Sequence, residues 1–156
     1  MGEGEKTRVI AWNRELRSVH GRLREALAVT RHALAAGEAV EPATRDLLLF
    51  CHGFCTALAA HHEGEDHHLF PAIVEQHPHL RETLRRLQQD HSMIAHLVGG
   101  LQSAVARAAP PAELHRHLDG VAAIMESHFR YEERQLLSIL EGLALDVEPH
   151  SALGPL

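Results

Sequence analysis

The chain has 156 residues, a formal net charge of −6 and no basic run, so nucleic acid and anionic membranes are poor candidates for its partners. Aromatic residues make up only 4% of the sequence, whereas alanine, leucine, arginine and glutamate are plentiful, which favours helix over sheet. No apolar targeting or membrane-spanning segment follows the charged start MGEGEKTR, so we expect a cytoplasmic protein.

Glycine and proline divide the chain into four long segments, which are predicted to be helices over residues 8–36, 43–76, 79–108 and 112–143. Each segment carries an apolar stripe that advances by three and four residues, as is typical of bundle helices. Because the links are short, the sequence predicts an all-α, up-down-up-down four-helix bundle over residues 1–145. Residues 146–156 are expected to form a loose C-terminal tail.

The second segment contains a proline and both cysteines. Pro71 removes one backbone hydrogen bond and is expected to kink the helix rather than end it, because Ile73 and Val74 continue the apolar pattern. Cys51 and Cys55 lie one helical turn apart. Two small buried residues are the favoured interpretation of this pair, and a redox pair or a thiolate ligand is the alternative.

Six polar residues interrupt the apolar stripes near the middle of the helices: His20, His61, Glu65, His91, His128 and Glu132. A buried imidazole or carboxylate without a partner is costly. Six of them at similar depths on four helices therefore predict a common partner. A metal centre is the simplest one, since iron, zinc and manganese take imidazole and carboxylate ligands from proteins. A bundle with a buried polar network and no metal is the alternative.

The six residues form two similar halves, each with a lone histidine followed by an H-x-x-x-E pair on one helix face. HHEGEDHHL (61–69) and HFRYEERQL (128–136) align without a gap on H-x-x-x-E-x-x-x-L. Two helix hairpins that face each other would supply four nitrogens and two carboxylates. This set suits two metal ions with two histidines each, and with Glu65 and Glu132 as bridges.

Other polar and aromatic residues near these pairs are predicted to lie outside the ligand set. His62 lies near the stripe, but its i,i+4 partner Asp66 is expected to point away from the bundle centre, so His62 would at best neighbour the ligands. Phe129 is expected to face away. Packing at a helix seam is the favoured interpretation of Tyr131. The alternative is that it lines the open face of the metals as a proton or electron source.

At these residues the chain resembles the hemerythrin-like (HHE cation-binding) family, over about residues 16–140. The resemblance is carried by H-x-x-x-E-x-x-x-L-F-P on the second helix, lone histidines on the first and third, and H-x-x-x-E on the fourth. It implies two iron ions in a non-haem centre, with an oxo or hydroxo bridge. Its implied ligands are His20, His61, Glu65, His91, His128 and Glu132.

Two features distinguish the chain from the oxygen-carrying hemerythrins, which have another histidine one turn after the third-helix ligand and an aspartate as one bridge. Ala95 stands at the first of these positions and Glu132 at the second. The chain is therefore more similar to a four-His, two-Glu bacterial subgroup. Its short single-domain members of the mycobacterial type are linked to nitric oxide and peroxide. A ferritin-like site, the nearest alternative, would need a second E-x-x-H helix.

Three functions stay open on this reasoning. The favoured one is a di-iron protein that reacts with peroxide, O2 or NO in an enzyme-like manner, because a missing fifth histidine would leave both ions more open. The second is reversible binding or sensing of O2 or NO. The third is a helical interaction protein that its metal only stabilises. The sequence identifies neither the electron donor nor the oligomeric state.

Overall fold

A computed structural model describes residues 10–36 and 41–155, except for the side chains of residues 33–36 and 41–51. All regular structure in these residues is helical. The elements in chain order are α1 (Trp12–Ala36), α2 (Glu41–Gly64), a π-helical turn (Glu65–Leu69), α3 (Phe70–Gln76), a 3-10 turn (Pro78–Leu80), α4 (Arg81–Ala106), α5 (Pro111–Leu140) and α6 (Pro149–Leu153). The prediction of an all-α fold is confirmed.

The long helices pack as a four-helix bundle. α1 lies against α2 and α5, and α4 lies against the same two helices. Each long helix therefore neighbours the ones that precede and follow it, as expected for up-down-up-down topology. Most residues of the predicted stripes are buried where their side chains are described, with Ala72, Leu80 and Ile139 only partly buried, whereas the stripe positions Leu34, Leu47 and Cys51 lie outside the described side chains. None of the described helices is long and apolar enough to span a membrane.

The second long stretch stays helical past Pro71, and a π-helical turn precedes this proline. The N–H of Phe70 donates to the carbonyl of Glu65, five residues earlier. A proline ring crowds the carbonyl four residues before it, so a wider turn at that point accommodates the ring. The disruption expected at Pro71 therefore appears as a change in hydrogen bonding. It places Glu65, a predicted ligand, in the π-helical turn.

The C-terminal residues differ from the loose tail that the sequence predicts. We call residues 141–155 the C-terminal strap, because after α5 they fold back onto the bundle. α6 packs against α1, α2 and the π-helical turn. Ala152 and Leu153 are fully buried. A five-residue helix is unstable alone, and its order comes from contacts with distant residues that local periodicity does not report.

Candidate metal centre

The six polar residues that interrupt the stripes come together in the middle of the bundle. α1 provides His20, α2 provides His61, the π-helical turn provides Glu65, α4 provides His91, and α5 provides His128 and Glu132. All six are buried, and the most accessible of them is 5% exposed. Their depth matches because each lies in the central part of its long helical stretch, which for His61 and Glu65 is the continuous stretch 41–76, on the face that packs against the other helices.

Two carboxylates connect the imidazoles. Oε1 of Glu65 lies 3.3 Å from Nε2 of His61 and 3.3 Å from Nε2 of His91. The oxygens of Glu132 lie 3.5 Å from Nε2 of the α1 histidine and 3.1 Å from Nε2 of the α5 histidine. Each glutamate thus lies between a histidine of one hairpin and a histidine of the other.

A seventh residue, His62, belongs to the cluster, although the sequence places it outside the ligand set. In each of two groups of buried donors, the ligand atoms all lie within 4.8 Å of one another, and Glu65 belongs to both groups. The groups are His20, His61, Glu65 and Glu132, and His62, Glu65, His91 and His128. His62 is 7% exposed, and its ring stacks on that of His91 with the centroids 3.9 Å apart.

The position of His62 follows from the packing of α2 between two neighbours. One residue along a helix turns the side chain by about 100°. His61 therefore faces α1 while His62 faces α4. Asp66 also differs from expectation, since its Oδ1 accepts a hydrogen bond from Nδ1 of His91 at 2.9 Å. The sequence did contain a signal for the inward position of His62. This residue directly follows the predicted ligand His61, and a helix of a four-helix bundle packs against two neighbouring helices.

Every buried polar side-chain atom that lacks a hydrogen-bond partner in the described part of the chain belongs to this cluster. These atoms are Nε2 of His20, His61, His62, His91 and His128, and both oxygens of Glu65 and Glu132. A buried unsatisfied polar group costs about 1–3 kcal/mol. Metal ions that accept lone pairs from imidazole and carboxylate fit all nine atoms at once.

The other ring nitrogen, Nδ1, is held by an oxygen acceptor in four of the five histidines. The pairs are His20 with Glu133 at 3.0 Å, His61 with the Leu153 carbonyl at 2.8 Å, His91 with Asp66 at 2.9 Å and His128 with Asp90 at 3.1 Å. Because these oxygens accept, Nδ1 carries the proton in each neutral ring, and the lone pair of Nε2 then faces the centre.

Burial and neighbouring charges set the pKa values of the cluster. Burial lowers the pKa of His61 to about 3. Burial and the neighbouring imidazoles lower the pKa of His62 well below its usual value, so both rings are neutral at pH 7. Burial and the Glu132 carboxylate raise the pKa of Glu65 well above its usual range. Burial opposes the charge of Glu132 as well, but contacts with Glu65 and two histidines hold its pKa well below the usual range.

These opposite shifts show that the two adjacent carboxylates do not readily carry their negative charges together. Both are completely buried, and neither has an arginine or lysine partner among the described residues. A divalent cation between them would allow both to ionise. The charges of the cluster therefore fit a metal centre, and this agrees with the fit of its donor atoms.

A cavity of about 260 Å³ reaches the cluster between α2 and α4. His62 and His91 lie on its wall, together with the apolar residues Leu58, Ile94 and Val98. On the other side, the ring of Phe129 stacks on His20 with the centroids 3.9 Å apart and is fully buried. Phe129 thus faces inward, contrary to expectation. It shields the donor group that contains His20, whereas the group that contains His62 adjoins the cavity.

Tyr131 and Cys55 lie outside both donor groups. Tyr131 is partly buried and lines a separate surface cavity together with Asp90, the carboxylate that accepts from His128. Cys55 is buried and lines the cavity between α2 and α4. The structure therefore places both residues near the site without making either a candidate ligand.

Comparison with protein families agrees with this geometry. A family model described as the hemerythrin HHE cation binding domain matches residues 13–140. The chain belongs to this family. A comparison with curated proteins found no match, and a comparison with solved structures found none either. The family and the buried donor groups together indicate that this HHE domain protein binds a metal cation, with iron as the metal that the family suggests.

Proposed function

We propose that this HHE domain protein is a non-haem di-iron protein that reacts with a small oxidant, namely peroxide, O2 or NO. The observation that carries the proposal is the pair of donor groups that share Glu65 beside a cavity. One group has two imidazoles and two carboxylates, and the other has three imidazoles and one carboxylate. Each suits one iron ion, and the shared glutamate suits a bridged pair.

The residues of the chain hold the ions, orient the ligands and restrict water. A reduced iron pair, when bound, supplies electrons to an oxidant. The hydrogen bonds at Nδ1 keep four imidazole rings in the tautomer that presents Nε2 to the centre. Leu58, Ile94 and Val98 give the cavity an apolar wall, and the acidic residues Glu63 and Asp66 also line it, a combination that favours entry of small uncharged molecules over anions. His62 and His91 lie where such a molecule would meet the centre.

Reversible binding or sensing of O2 or NO is the second candidate, and His62 is the observation that favours it. The sequence argument for redox chemistry depends on a missing fifth histidine at position 95. His62 brings a fifth imidazole into the cluster from α2 instead. Because a fuller set of protein ligands leaves fewer positions for an incoming molecule, the structure strengthens this alternative relative to the sequence.

The test begins with protein loaded anaerobically with Fe²⁺. Metal per chain is measured first, and samples are then mixed separately with H2O2, O2 and NO. Between successive additions the iron is re-reduced and the excess reductant is removed. The proposal predicts two irons per chain and repeated consumption of at least one oxidant. A reversible absorbance change without net consumption would support the second candidate. Failure of the chain to retain iron would contradict both candidates and favour a structural bundle.

A matched pair of variants links the reaction to the proposed site. His62→Ala removes an imidazole that lines the cavity, and His52→Ala removes an exposed histidine of the same helix. We expect the first variant to change the rate of reaction with the oxidant and the second to behave like the unmodified protein. Equal rates in all three proteins would show that the oxidant does not react beside His62.

A further inference from the structure

The C-terminal strap is fastened to the bundle at several separate points. The side chain of Gln76 donates to the carbonyl of Ala144 at 2.7 Å and accepts from its N–H at 3.2 Å. The indole N–H of Trp12 donates to the carbonyl of Leu145 at 3.3 Å. From there the strap runs to α6, which lies on α2 and the π-helical turn. Its path therefore ends over α2 and the π-helical turn, which together carry three of the candidate ligands.

The end of the strap contacts one candidate ligand directly. Nδ1 of His61 donates to the backbone carbonyl of Leu153 at 2.8 Å, and both residues are fully buried. A carbonyl oxygen can only accept a hydrogen bond, so the proton of the neutral ring must be on Nδ1. Nε2 is then free to face Glu65, which lies 3.3 Å away.

Comparison of the two hairpins shows why this carbonyl is needed. In the second hairpin, Asp90, the residue before the lone histidine, accepts from Nδ1 of His128 at 3.1 Å. At the equivalent place in the first hairpin, the residue before the lone histidine is Val19, which is buried and has no acceptor side chain. The strap supplies an acceptor for His61 that the first hairpin does not provide itself.

Two glycines allow the strap backbone to lie this close to α2. A Cβ atom on Gly64 would come within 2.7 Å of the Ala152 carbonyl group. A Cβ atom on Gly154 would come within 2.8 Å of the backbone nitrogen of His61. Gly154 also has a φ of +88°, a backbone angle that residues with a side chain rarely adopt. The close approach of the strap backbone to α2 therefore depends on glycine at both positions.

We propose that the C-terminal strap is a positioning element of the metal centre, in which the Leu153 carbonyl holds His61 so that its Nε2 can bind metal. The strap lies beyond residue 140, where the match to the family model ends. The inference deepens the proposed function, because it concerns the retention of the same ions. It predicts that ion retention beside His20 and His61 depends on the strap.

The experiment compares two alanine substitutions within the strap of the full chain. Gly154→Ala introduces the clash with His61, whereas Gly142→Ala meets no atom within 4 Å and serves as the matched control. Each protein is loaded anaerobically with Fe²⁺, and iron release to a chelator is timed. Loss of the group that holds a ligating histidine typically weakens metal binding by about 10- to 100-fold. We expect release from Gly154→Ala to accelerate by a similar factor, and release from Gly142→Ala to match the unmodified protein.

A second measurement separates positioning from packing without iron. ¹⁵N NMR of the histidine rings in the metal-free chain reports which nitrogen of His61 carries the proton. We expect the Nδ1-H tautomer in the unmodified protein and in Gly142→Ala, and a mixture of tautomers in Gly154→Ala. Melting of the metal-free variants shows how far general destabilisation contributes to faster release.

Unchanged release and an unchanged His61 tautomer in Gly154→Ala would overturn the strap proposal while leaving the di-iron proposal intact. The same holds if both variants accelerate release only in proportion to their loss of stability. Failure of the unmodified protein to retain iron would instead contradict the proposed function. The tautomer measurement would then still decide whether the strap positions His61.

Discussion

The two hairpins carry the same ligand pattern but differ at the residue that follows the first histidine of H-x-x-x-E. This residue is His62 on α2 and Phe129 on α5. Each ring stacks on a lone histidine: His62 on His91 at 3.9 Å and 12°, and Phe129 on His20 at 3.9 Å and 10°. Similar packing therefore brings a further candidate metal donor beside His91 and an apolar cover onto His20.

The two donor groups differ in their access to solvent. We call the group of His62, Glu65, His91 and His128 the His62 half, and the group of His20, His61, Glu65 and Glu132 the His20 half. The half that contains His62 adjoins the cavity between α2 and α4. The half that contains His20 lies beneath Phe129, with the Arg24 guanidinium 5.4 Å from the centre of that ring on the outside. We therefore expect small molecules to reach the His62 half, while the His20 half mainly holds its ion.

The largest expected effect comes from removing what the halves share. Glu65→Ala removes the one donor common to both groups, so nearly all metal should be lost. The melting temperature of the metal-loaded protein should fall with it, because binding that no longer occurs stabilises the folded state by on the order of 3–4 kcal/mol. Elemental analysis and thermal melting measure both effects. Glu75→Ala, an exposed position on α3, is the control, and full metal content in Glu65→Ala would contradict the bridging assignment.

The next effect tests the unequal position directly. His62→Phe makes the two halves alike by replacing the extra imidazole with the ring found at position 129. We expect the bundle to stay folded and about one of the two ions to be lost or weakly held, because one group loses a donor. Metal content and chelator release measure this effect, with the exposed His96→Ala as control. Undiminished retention of both ions would mean that His62 is a neighbour of the ligands and not a ligand.

A smaller effect is expected from the groups that hold the rings. Asp90→Ala removes the acceptor for Nδ1 of His128 and should weaken binding in the His62 half by about 10- to 100-fold. Asp119→Ala, which removes an exposed ion pair with Arg31, should leave metal binding unchanged. Competition with a chelator of known affinity measures both. Equal affinities in the two variants would show that Asp90 does not orient the ligand.

The smallest effect on the metal should come from filling the cavity. Ala95 is exposed and lies on the cavity wall, so Ala95→Phe should slow the reaction with oxidant while leaving iron content unchanged. Stability should change by about 0.5 kcal/mol or less, as is usual for surface positions. Stopped-flow mixing measures the rate, and Ala123→Phe on an exposed face of α5 is the control. An unaltered rate would place the route of entry elsewhere.

The fold and the six central polar residues could be anticipated because helical periodicity is a local property. Steps of three and four residues place His61 and Glu65 on one face, and similar steps place His128 and Glu132 together. Burial of so many polar groups is tolerable only with a shared partner. The structure brings all six together, within helices whose limits lie within a few residues of those predicted.

The predicted orientations of His62 and Phe129 were wrong because one apolar stripe is narrower than the buried face of a bundle helix. Each helix contacts two neighbours, so its inward arc includes residues about 100° from the stripe. The alignment of the two H-x-x-x-E segments contained a signal, since Phe129 is too apolar to be expected on the surface. Because Phe129 aligns with His62, burial of one suggests burial of the other.

The sequence by itself determined the all-α bundle, its hairpin repeat and the buried histidines and glutamates, because these depend on spacing along single helices. Only the tertiary structure decided that His62 joins the cluster, that a cavity reaches it, and that the Leu153 carbonyl holds His61. Those features depend on how neighbouring helices approach and on a contact between residues 92 positions apart. Periodicity within one helix carries no information about such distances.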